Sequence, residues 1–417
     1  MSEQDAPEWF TEAVDADDRE EGRVTTPDGI ELQYLRWRPL RTHKDDKTRD
    51  EDLQALVFVH GNGANAFWYC PTAPFFREDF DVIAISSSGC GDSGLRPDTY
   101  NIGHFANEIL AVCDSLRLFS RRLRPILVGH SLGAIACTRL ALDHGERFHG
   151  IVLCDIRVED RPPEYFEKNK ARSMRERAAS PLFKPRDEFK LHPHTVSPAS
   201  RFKLAPPQDT TPFVLDYIAR MSANFEDKGW RWKGDPNRFR KLDLITHKPN
   251  MSLDDMRAAN QKVPMAMVYG ERSFFMTFRR IKETIDEKVA KLFPVFAIPH
   301  AEHHLLLDEP IAFVTALRAL FVLWAKKLPS APVDTAAATM ESDSTYIPKQ
   351  DNLDLIDEEW TMDALSDDEI ELAPENDLAL EDQEVDPTLP PTALHKDEEE
   401  EKWVDLGLET FVGSNSN

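Results

Sequence analysis

The segment PILVGHSLG, which runs from Pro125 to Gly133, is the most informative part of the chain for its fold. Its first four residues form a short continuous apolar run, which is typical of a strand buried on both faces of a parallel sheet. An Ala-rich segment of helical length follows, from Leu132 to His144. This order of strand, turn and helix is the context that a G-x-S-x-G nucleophile turn requires. Such a turn holds its serine in strained backbone torsions, so Ser131 is predicted to present its Oγ above the sheet.

Similar apolar runs recur on both sides of this segment and alternate with segments of helical length. Further strands are predicted at residues 55–59, 82–85, 151–154, 265–269 and 295–298, and helices at residues 102–119, 132–144 and 311–327. Residues 24–37 alternate between polar and apolar around a Pro-Asp-Gly turn, which favours an antiparallel hairpin or edge strands. The alternation of strand and helix predicts an α/β fold with a doubly wound, mostly parallel sheet.

The pattern of buried strands stops for about a hundred residues after Cys154, which is too long for a loop. This interval is rich in Pro, Phe, Trp and Arg and contains helical stretches such as residues 213–224, so an inserted helical cap that closes over an active site is predicted. The predicted organisation is an acidic N-terminal segment (1–21), a first part of the core (22–156), the cap (157–260), a second part of the core (261–329) and a disordered acidic tail (330–417).

The formal net charge of −24 is concentrated in that tail. Residues 331–417 contain 26 Asp and Glu against three lysines, so this segment carries −23 and the first 330 residues are nearly neutral. Isolated apolar residues among so many charges cannot form a core. Because the body has no basic surplus, binding to nucleic acid or to anionic lipid headgroups is disfavoured, and a small-molecule substrate is expected.

The sequence also indicates a compartment. The N-terminus has no apolar core segment and no run of about 18 apolar residues occurs, so neither secretion nor a membrane span is expected. Reduced thiols in a cytoplasmic protein are the simplest interpretation of cysteines that are scattered without metal-ligand spacing. These cysteines are Cys70, Cys90, Cys113, Cys137 and Cys154.

Several motifs together resemble the α/β-hydrolase fold superfamily over about residues 22–328. Besides the turn around Ser131, the sequence HGNG from His60 to Gly63 resembles the family's oxyanion loop, which follows a buried strand. The sequence HHLLLDEP from His303 to Pro310 resembles the family's catalytic-histidine segment. Shorter matches resemble a group of mostly uncharacterised bacterial-type hydrolases with a cap. These matches are Trp9-Phe10, Arg201-Phe202-Lys203-Leu204 with Pro206-Pro207, and Gly229-Trp230-Arg231-Trp232-Lys233.

The resemblance implies a serine nucleophile, a histidine base and two backbone donors for the oxyanion. Ser131 is the expected nucleophile, and the N–H groups of Asn62 and Leu132 are the expected donors. His303 is the expected base, because its spacing to the acidic residue and proline at the start of the last helix fits the family's segment. His300 and His304 are the competing candidates in the same loop.

The third member of the triad departs from the family's commonest pattern. Relatives usually place an Asp three residues after the glycine that ends the strand before the histidine strand, but here the position counted from Gly270 is Ser273. Some members carry the acid at the end of the preceding parallel strand, where this chain has Asp155. Asp155 is therefore the first choice, Glu271 is the alternative acid, and a dyad without an acid is the third option.

Two functional hypotheses follow from these residues. The first is a serine hydrolase that cleaves a small ester, thioester or amide through an acyl-enzyme intermediate, with no cofactor and no metal. The alternative is a catalytically weak binding or scaffold protein, which Ser273 in the usual acid position favours, and which would recruit partners through its acidic tail.

The tail contains one segment that suggests a protein partner. Trp403 and Leu406 lie three residues apart after an acidic run, and this pattern resembles the short motif that binds ubiquitin-like autophagy adaptors by adding a strand to a sheet edge. A solvated acidic tail with incidental apolar residues is the plainer interpretation.

Overall fold

The structure is a computed structural model that describes residues 6–15, 18–40, 53–158, 185–243 and 251–325. The predicted acidic tail, with Trp403 and Leu406, lies outside the described residues, as does part of the predicted cap. Within the described ranges the strands are β1 (Glu20–Thr25), β2 (Glu31–Trp37), β3 (Gln54–Val59), β4 (Phe80–Ile85), β5 (Tyr100–Asn101), β6 (Ile126–His130), β7 (Gly150–Cys154), β8 (Ala223–Glu226), β9 (Gly229–Trp232), β10 (Leu242–Asp243), β11 (Met265–Gly270) and β12 (Val295–Ile298). The helices are α1 (Glu8–Ala13), α2 (Ile102–Ser115), α3 (Leu132–His144), α4 (Pro212–Met221), α5 (Arg238–Lys241), α6 (Leu253–Lys262), α7 (Arg279–Glu283), α8 (Leu305–Asp308) and α9 (Pro310–Ala325).

Eight of the strands form one sheet in the order β1-β2-β4-β3-β6-β7-β11-β12. Strands β1 and β2 form the predicted antiparallel hairpin, and β2 also pairs antiparallel with β4. All pairs from β4 to β12 run parallel. The predicted fold class is confirmed, and each predicted strand of the parallel sheet has an observed counterpart.

Both faces of the sheet are buried, which explains the continuous apolar runs. Along β3, Val57 and Val59 pack on one face while Leu56 and Phe58 pack on the other, because successive side chains of a strand point in opposite directions. Helices α2, α3 and α6 contribute to the first cluster and α9 to the second. Strands covered on both sides therefore carry apolar residues at every position.

The described part of the insertion contains both a helix and a hairpin. The helix predicted at residues 213–224 corresponds to α4 (Pro212–Met221), and an antiparallel hairpin of β8 and β9, which the sequence analysis did not predict, follows it. Strand β10 pairs with β5 of the core, and the Tyr100 hydroxyl donates to Asp235 over 2.8 Å between oxygens. These contacts attach the insertion to the core.

Two further observations concern expectations from the sequence. None of the helices in the described ranges combines the length and the apolar character needed to cross a bilayer. All five cysteines are free thiols with buried side chains, and burial raises their pKa values.

Candidate active site

The turn between β6 and α3 holds Ser131 in a strained conformation, with φ of 50° and ψ of −118°. Its N–H donates to the carbonyl of Cys154 in the neighbouring strand over 2.9 Å, so the sheet fixes the turn. The glycines of the motif are required by close packing. A Cβ at Gly133 would lie 2.4 Å from the carbonyl oxygen of Val59, and one at Gly129 would lie 2.7 Å from the carbonyl oxygen of Gly133. The serine side chain remains partly exposed at the carboxyl end of the sheet.

Ser131, His303 and Asp155 form one chain of hydrogen bonds. The Ser131 Oγ lies 3.1 Å from His303 Nε2, and His303 Nδ1 lies 2.6 Å from Asp155 Oδ2. Because the carboxylate accepts from Nδ1–H, the Nε2 atom carries the lone pair that accepts from the serine hydroxyl. Asp155 is fully buried and His303 is nearly so. This is the arrangement that a serine nucleophile, a base and an orienting acid require.

Asp155 follows β7 directly and has a φ of 48°. Its N–H donates to the carbonyl of Val268 over 2.8 Å, which attaches the residue to β11. Its Oδ1 accepts from the N–H of Gly270 at 3.0 Å, and its Oδ2 accepts from the Ser273 hydroxyl at 2.6 Å as well as from His303. A buried carboxylate needs this many donors to remain satisfied. Ser273, which occupies the usual acid position, therefore supports the acid from the next strand.

The alternative residues lie elsewhere. Glu271 is exposed, and its carboxylate accepts from the N–H of His300 at 3.3 Å rather than from the ring of His303. The ring of His300 is also exposed and contacts Arg272. His304 is buried, but its Nε2 donates to the carbonyl of Ala205 at 3.1 Å. Of the three histidines in this loop, only His303 lies within hydrogen-bond distance of Ser131.

The loop from His60 to Gly63 runs beside the serine. A Cβ at Gly61 would lie 3.1 Å from the Ser131 Cβ, so a larger residue would crowd Ser131. The ring of His60 anchors the loop, because its Nε2 accepts from the N–H of Ser87 at 3.0 Å. Burial lowers the pKa of His60 to about 3.

The two predicted oxyanion donors flank this same position. Within the described part of the chain, the N–H groups of Asn62 and Leu132 donate to no acceptor. Uncommitted backbone donors next to a nucleophile can bind an oxyanion without reorganisation. The N–H of Ala134 donates to the carbonyl of Ser131 over 2.9 Å, and this hydrogen bond belongs to the first turn of α3. Leu132 is the first residue of this helix.

A polar network that the sequence analysis missed holds the histidine loop. Asp308 accepts from the N–H of Glu302 at 2.6 Å and from the Gln208 side chain at 2.8 Å. The Gln208 carbonyl oxygen in turn accepts from the N–H of His304 at 2.8 Å. The two residues that flank His303 are thus fixed by one carboxylate and one amide. Burial raises the pKa of Asp308 to about 7. Gln208 is far from the loop in sequence, so no local pattern could have revealed this contact.

A second feature that the sequence analysis did not use is His130, inside the nucleophile motif itself. Its Nε2 donates to the carbonyl of His303 at 2.9 Å, so the end of β6 also supports the histidine loop. Burial lowers the pKa of His130 to about 3, and that of His304 is held well below its ordinary value by burial and by the neighbouring rings. Both rings are therefore neutral beside His303.

A parallel sheet that ends in a serine on a strained turn, with a histidine and an acid from later loops, defines a protein of the α/β-hydrolase class. The model of the alpha/beta hydrolase family matches residues 56–317. The chain belongs to this family.

Similar proteins share the fold and part of the sequence. The uncharacterized hydrolase YugF of Bacillus subtilis is 31% identical over 132 residues, which cover 31% of this chain and 43% of YugF. The bifunctional esterase/perhydrolase DCH of Acinetobacter calcoaceticus is 29% identical over 113 residues, which cover 27% of this chain and 36% of that enzyme. The matched stretches thus span less than half of these relatives. The crystal structure of E-2-(acetamidomethylene)succinate hydrolase superposes with a TM-score of 0.55 and 19% identity, over 73% of this chain and 99% of that chain.

Proposed function

We propose that the protein is a serine hydrolase that cleaves a small ester, thioester or amide through an acyl-enzyme intermediate. The observation that carries this proposal is the chain of two hydrogen bonds, 3.1 Å and 2.6 Å long, from Ser131 through His303 to Asp155. The side chains of His303 and Asp155 are buried, while Ser131 is partly exposed.

The geometry supports a two-step reaction. His303 Nε2 accepts the hydroxyl proton as Ser131 Oγ attacks the substrate carbonyl, and the resulting imidazolium is stabilised by Asp155. The N–H groups of Asn62 and Leu132 donate to the oxyanion that develops on the carbonyl oxygen. His303 then transfers the proton to the leaving group, which leaves an ester between the acyl group and Ser131. Water attacks this ester by the same route in reverse, and the free serine returns.

The relatives support hydrolysis of a carboxylic acid derivative. YugF is described as a hydrolase and the Acinetobacter enzyme as an esterase/perhydrolase. An ester is therefore the first substrate class to test. Thioesters and amides react through the same acyl-enzyme intermediate and follow it.

The alternative, a scaffold protein without efficient turnover, rested on Ser273 in the usual acid position. Asp155 accepts from His303 Nδ1, and Ser273 donates to Asp155. A serine at position 273 is therefore compatible with a triad that takes its acid from Asp155. The recruitment of partners through Trp403 and Leu406 remains a prediction from the sequence.

A fluorophosphonate probe tests the proposal, because it reacts with an activated serine and not with an inert one. We expect the full chain to be labelled once, at Ser131, as identified by mass spectrometry of the peptide. Ser131→Ala should abolish both labelling and hydrolysis of a p-nitrophenyl ester with little change in the thermal midpoint, and His303→Ala should slow labelling strongly. If the full chain is not labelled, the serine is inert; if Ser131 is labelled at the same rate in the His303→Ala variant, His303 does not activate it, and either result contradicts the proposal.

A further inference from the structure

Three imidazole rings cluster beneath the nucleophile. His130 ends β6, and His303 and His304 precede α8; all three side chains are buried. The ring centroid of His303 lies 4.9 Å from that of His130 and 4.8 Å from that of His304, and the centroids of His130 and His304 are 5.5 Å apart. One ring nitrogen from each residue lies within 4.8 Å of the other two.

In each of these rings one nitrogen donates a hydrogen bond, so the other nitrogen carries a lone pair. His130 donates through Nε2 to the carbonyl of His303, and His304 donates through Nε2 to the carbonyl of Ala205, so the Nδ1 atom of each carries a lone pair. Both Nδ1 atoms are buried and lack a hydrogen-bond partner within the described residues. His303 donates through Nδ1 to Asp155, so its lone pair is on Nε2, where it accepts from Ser131.

This pattern of donors is that of histidines which bind a metal ion. Metal-ligating histidines present one nitrogen to the ion and donate the other N–H to a carboxylate or a backbone carbonyl, which fixes the tautomer and the ring orientation. Each of the three rings meets that condition, with one carboxylate and two carbonyls as acceptors.

We propose that His130, His303 and His304 form an inhibitory binding site for a transition-metal ion of the Zn²⁺ class. The ion takes the lone pair of His303 Nε2, which is the one that the Ser131 hydroxyl needs. Metal binding and the hydrogen bond from Ser131 are therefore mutually exclusive, and the loaded protein has no general base. The inhibitory effect rests on the proposed function, whereas the binding of the ion does not.

The dimensions of the cluster support competition rather than coexistence. Zn–N bonds of about 2.0–2.1 Å in a tetrahedral site place ligand nitrogens about 3.4 Å apart. Because the ring nitrogens lie up to 4.8 Å apart, they must move closer together to bind one ion, and a His303 Nε2 that is bonded to the ion cannot accept from Ser131. The partly exposed serine gives solvent, and hence an ion, access to this end of the cluster.

The donor set also predicts selectivity. Imidazole nitrogens suit Zn²⁺, Cu²⁺ and Ni²⁺, whereas Mg²⁺ and Ca²⁺ require oxygen ligands. Zn²⁺ should therefore inhibit, and Mg²⁺ at much higher concentration should not.

The experiment measures Zn²⁺ binding to the full chain by equilibrium dialysis at buffered free Zn²⁺, together with the rate of p-nitrophenyl ester hydrolysis. We expect one ion to bind per chain, inhibition over the same range of free Zn²⁺, and recovery on addition of a chelator. His130→Gln and His304→Gln should each weaken binding by about tenfold or more, with inhibition referred to the metal-free rate of the same variant. His300→Gln is the matched control, since this histidine lies in the same loop with an exposed ring outside the cluster, and it should bind Zn²⁺ as the unmodified chain does.

Each outcome is decisive. Equal Zn²⁺ affinity in His130→Gln, His304→Gln and the unmodified chain overturns the proposal, as does the absence of a bound ion. Circular dichroism identifies a variant that has not folded. In that case, the test is whether Zn²⁺ slows fluorophosphonate labelling of Ser131 in the unmodified chain while Mg²⁺ does not. If dialysis finds the site but no ester is hydrolysed, the metal site stands and the proposed hydrolase function fails.

Discussion

The hydroxyl of Ser273 donates a hydrogen bond to the carboxylate of Asp155, with 2.6 Å between the two oxygens. The donor lies just after β11 and the acceptor just after β7, and these two strands are neighbours in the sheet. The family's commonest pattern, as the resemblance implies it, has the acid at the position of Ser273. In this chain that position holds a hydroxyl that donates to Asp155, and Asp155 also accepts from His303 Nδ1 at 2.6 Å. Asp155 is therefore the proposed acid.

The first prediction concerns which carboxylate orients His303. Asp155→Asn should lower kcat by roughly 10³-fold, because an amide presents a donor where Nδ1–H needs an acceptor and the ring adopts the wrong tautomer. Glu271→Gln should change kcat by less than about threefold, because a rim hydrogen bond to a backbone N–H is worth little. Steady-state kinetics with one ester substrate decides between them. The assignment of Asp155 is wrong if the two effects are reversed.

The second prediction concerns the donor to that acid. Ser273→Ala removes a hydrogen bond to a buried charged group and should lower kcat by about tenfold with little change in KM. Ser93→Ala is the matched control, since its hydroxyl is also buried and donates to the carbonyl of Ser86 at 2.7 Å in a different loop. The control should lose thermal stability but keep its kcat. If both variants lose only stability, Ser273 serves the fold and not the acid.

The third prediction concerns the pH dependence of stability at Asp308. Burial raises the pKa of this carboxyl from an ordinary value of 3.8 to about 7, with Glu302 adding a smaller repulsion. The folded chain therefore holds the proton more tightly than the unfolded chain, and the contribution of this group to stability falls as the pH rises between these two values. The thermal midpoint of Asp308→Asn, relative to the unmodified chain, should thus increase from pH 5 to pH 8.

An exposed acid provides the comparison for this measurement. Asp254 pairs with Arg257 at the surface of α6, where its side chain is 89% exposed. Asp254→Asn should give a difference in thermal midpoint that hardly varies over the same pH range. A flat difference for Asp308→Asn as well would mean that its proton is not coupled to folding.

The fourth prediction concerns the acidic tail. A chain that ends after Ser330 lacks 87 residues with a net charge of −23, but it keeps each residue of the proposed triad and both proposed oxyanion donors. We expect kcat/KM for a neutral ester within about twofold of the full chain, because neutral substrates do not respond to a distant surface charge. The experiment measures kcat/KM of both chains for this ester at low and at high salt. A large loss of kcat/KM in the shortened chain would require the predicted domain boundary at residue 330 to be withdrawn.

The sequence by itself determined the elements that depend on neighbouring residues. The apolar runs predicted each strand of the parallel sheet, because a strand buried on both faces carries apolar residues throughout. The motif around Ser131 predicted the strained turn, because only glycine fits against Val59 and Gly133. The family resemblance added the expectation that His303 is the base, and the structure brings that residue to the serine. The hairpin of β8 and β9 was missed, since its short strands lie within a segment rich in turn-forming residues.

Only the tertiary structure decided which side chains meet. From the sequence, the acid could be Asp155 or Glu271, or the site could be a dyad without an acid. Asp155 and Glu271 each lie near the end of one of two neighbouring parallel strands, and the sequence does not show where either side chain points. The positive φ of Asp155 and the donors from Gly270 and Ser273 turn its carboxylate toward His303, and these contacts join residues more than a hundred positions apart. The contact of Gln208 with the histidine loop and the cluster of three imidazoles have the same origin. They arise from the packing of distant segments, and no local periodicity encodes such a contact.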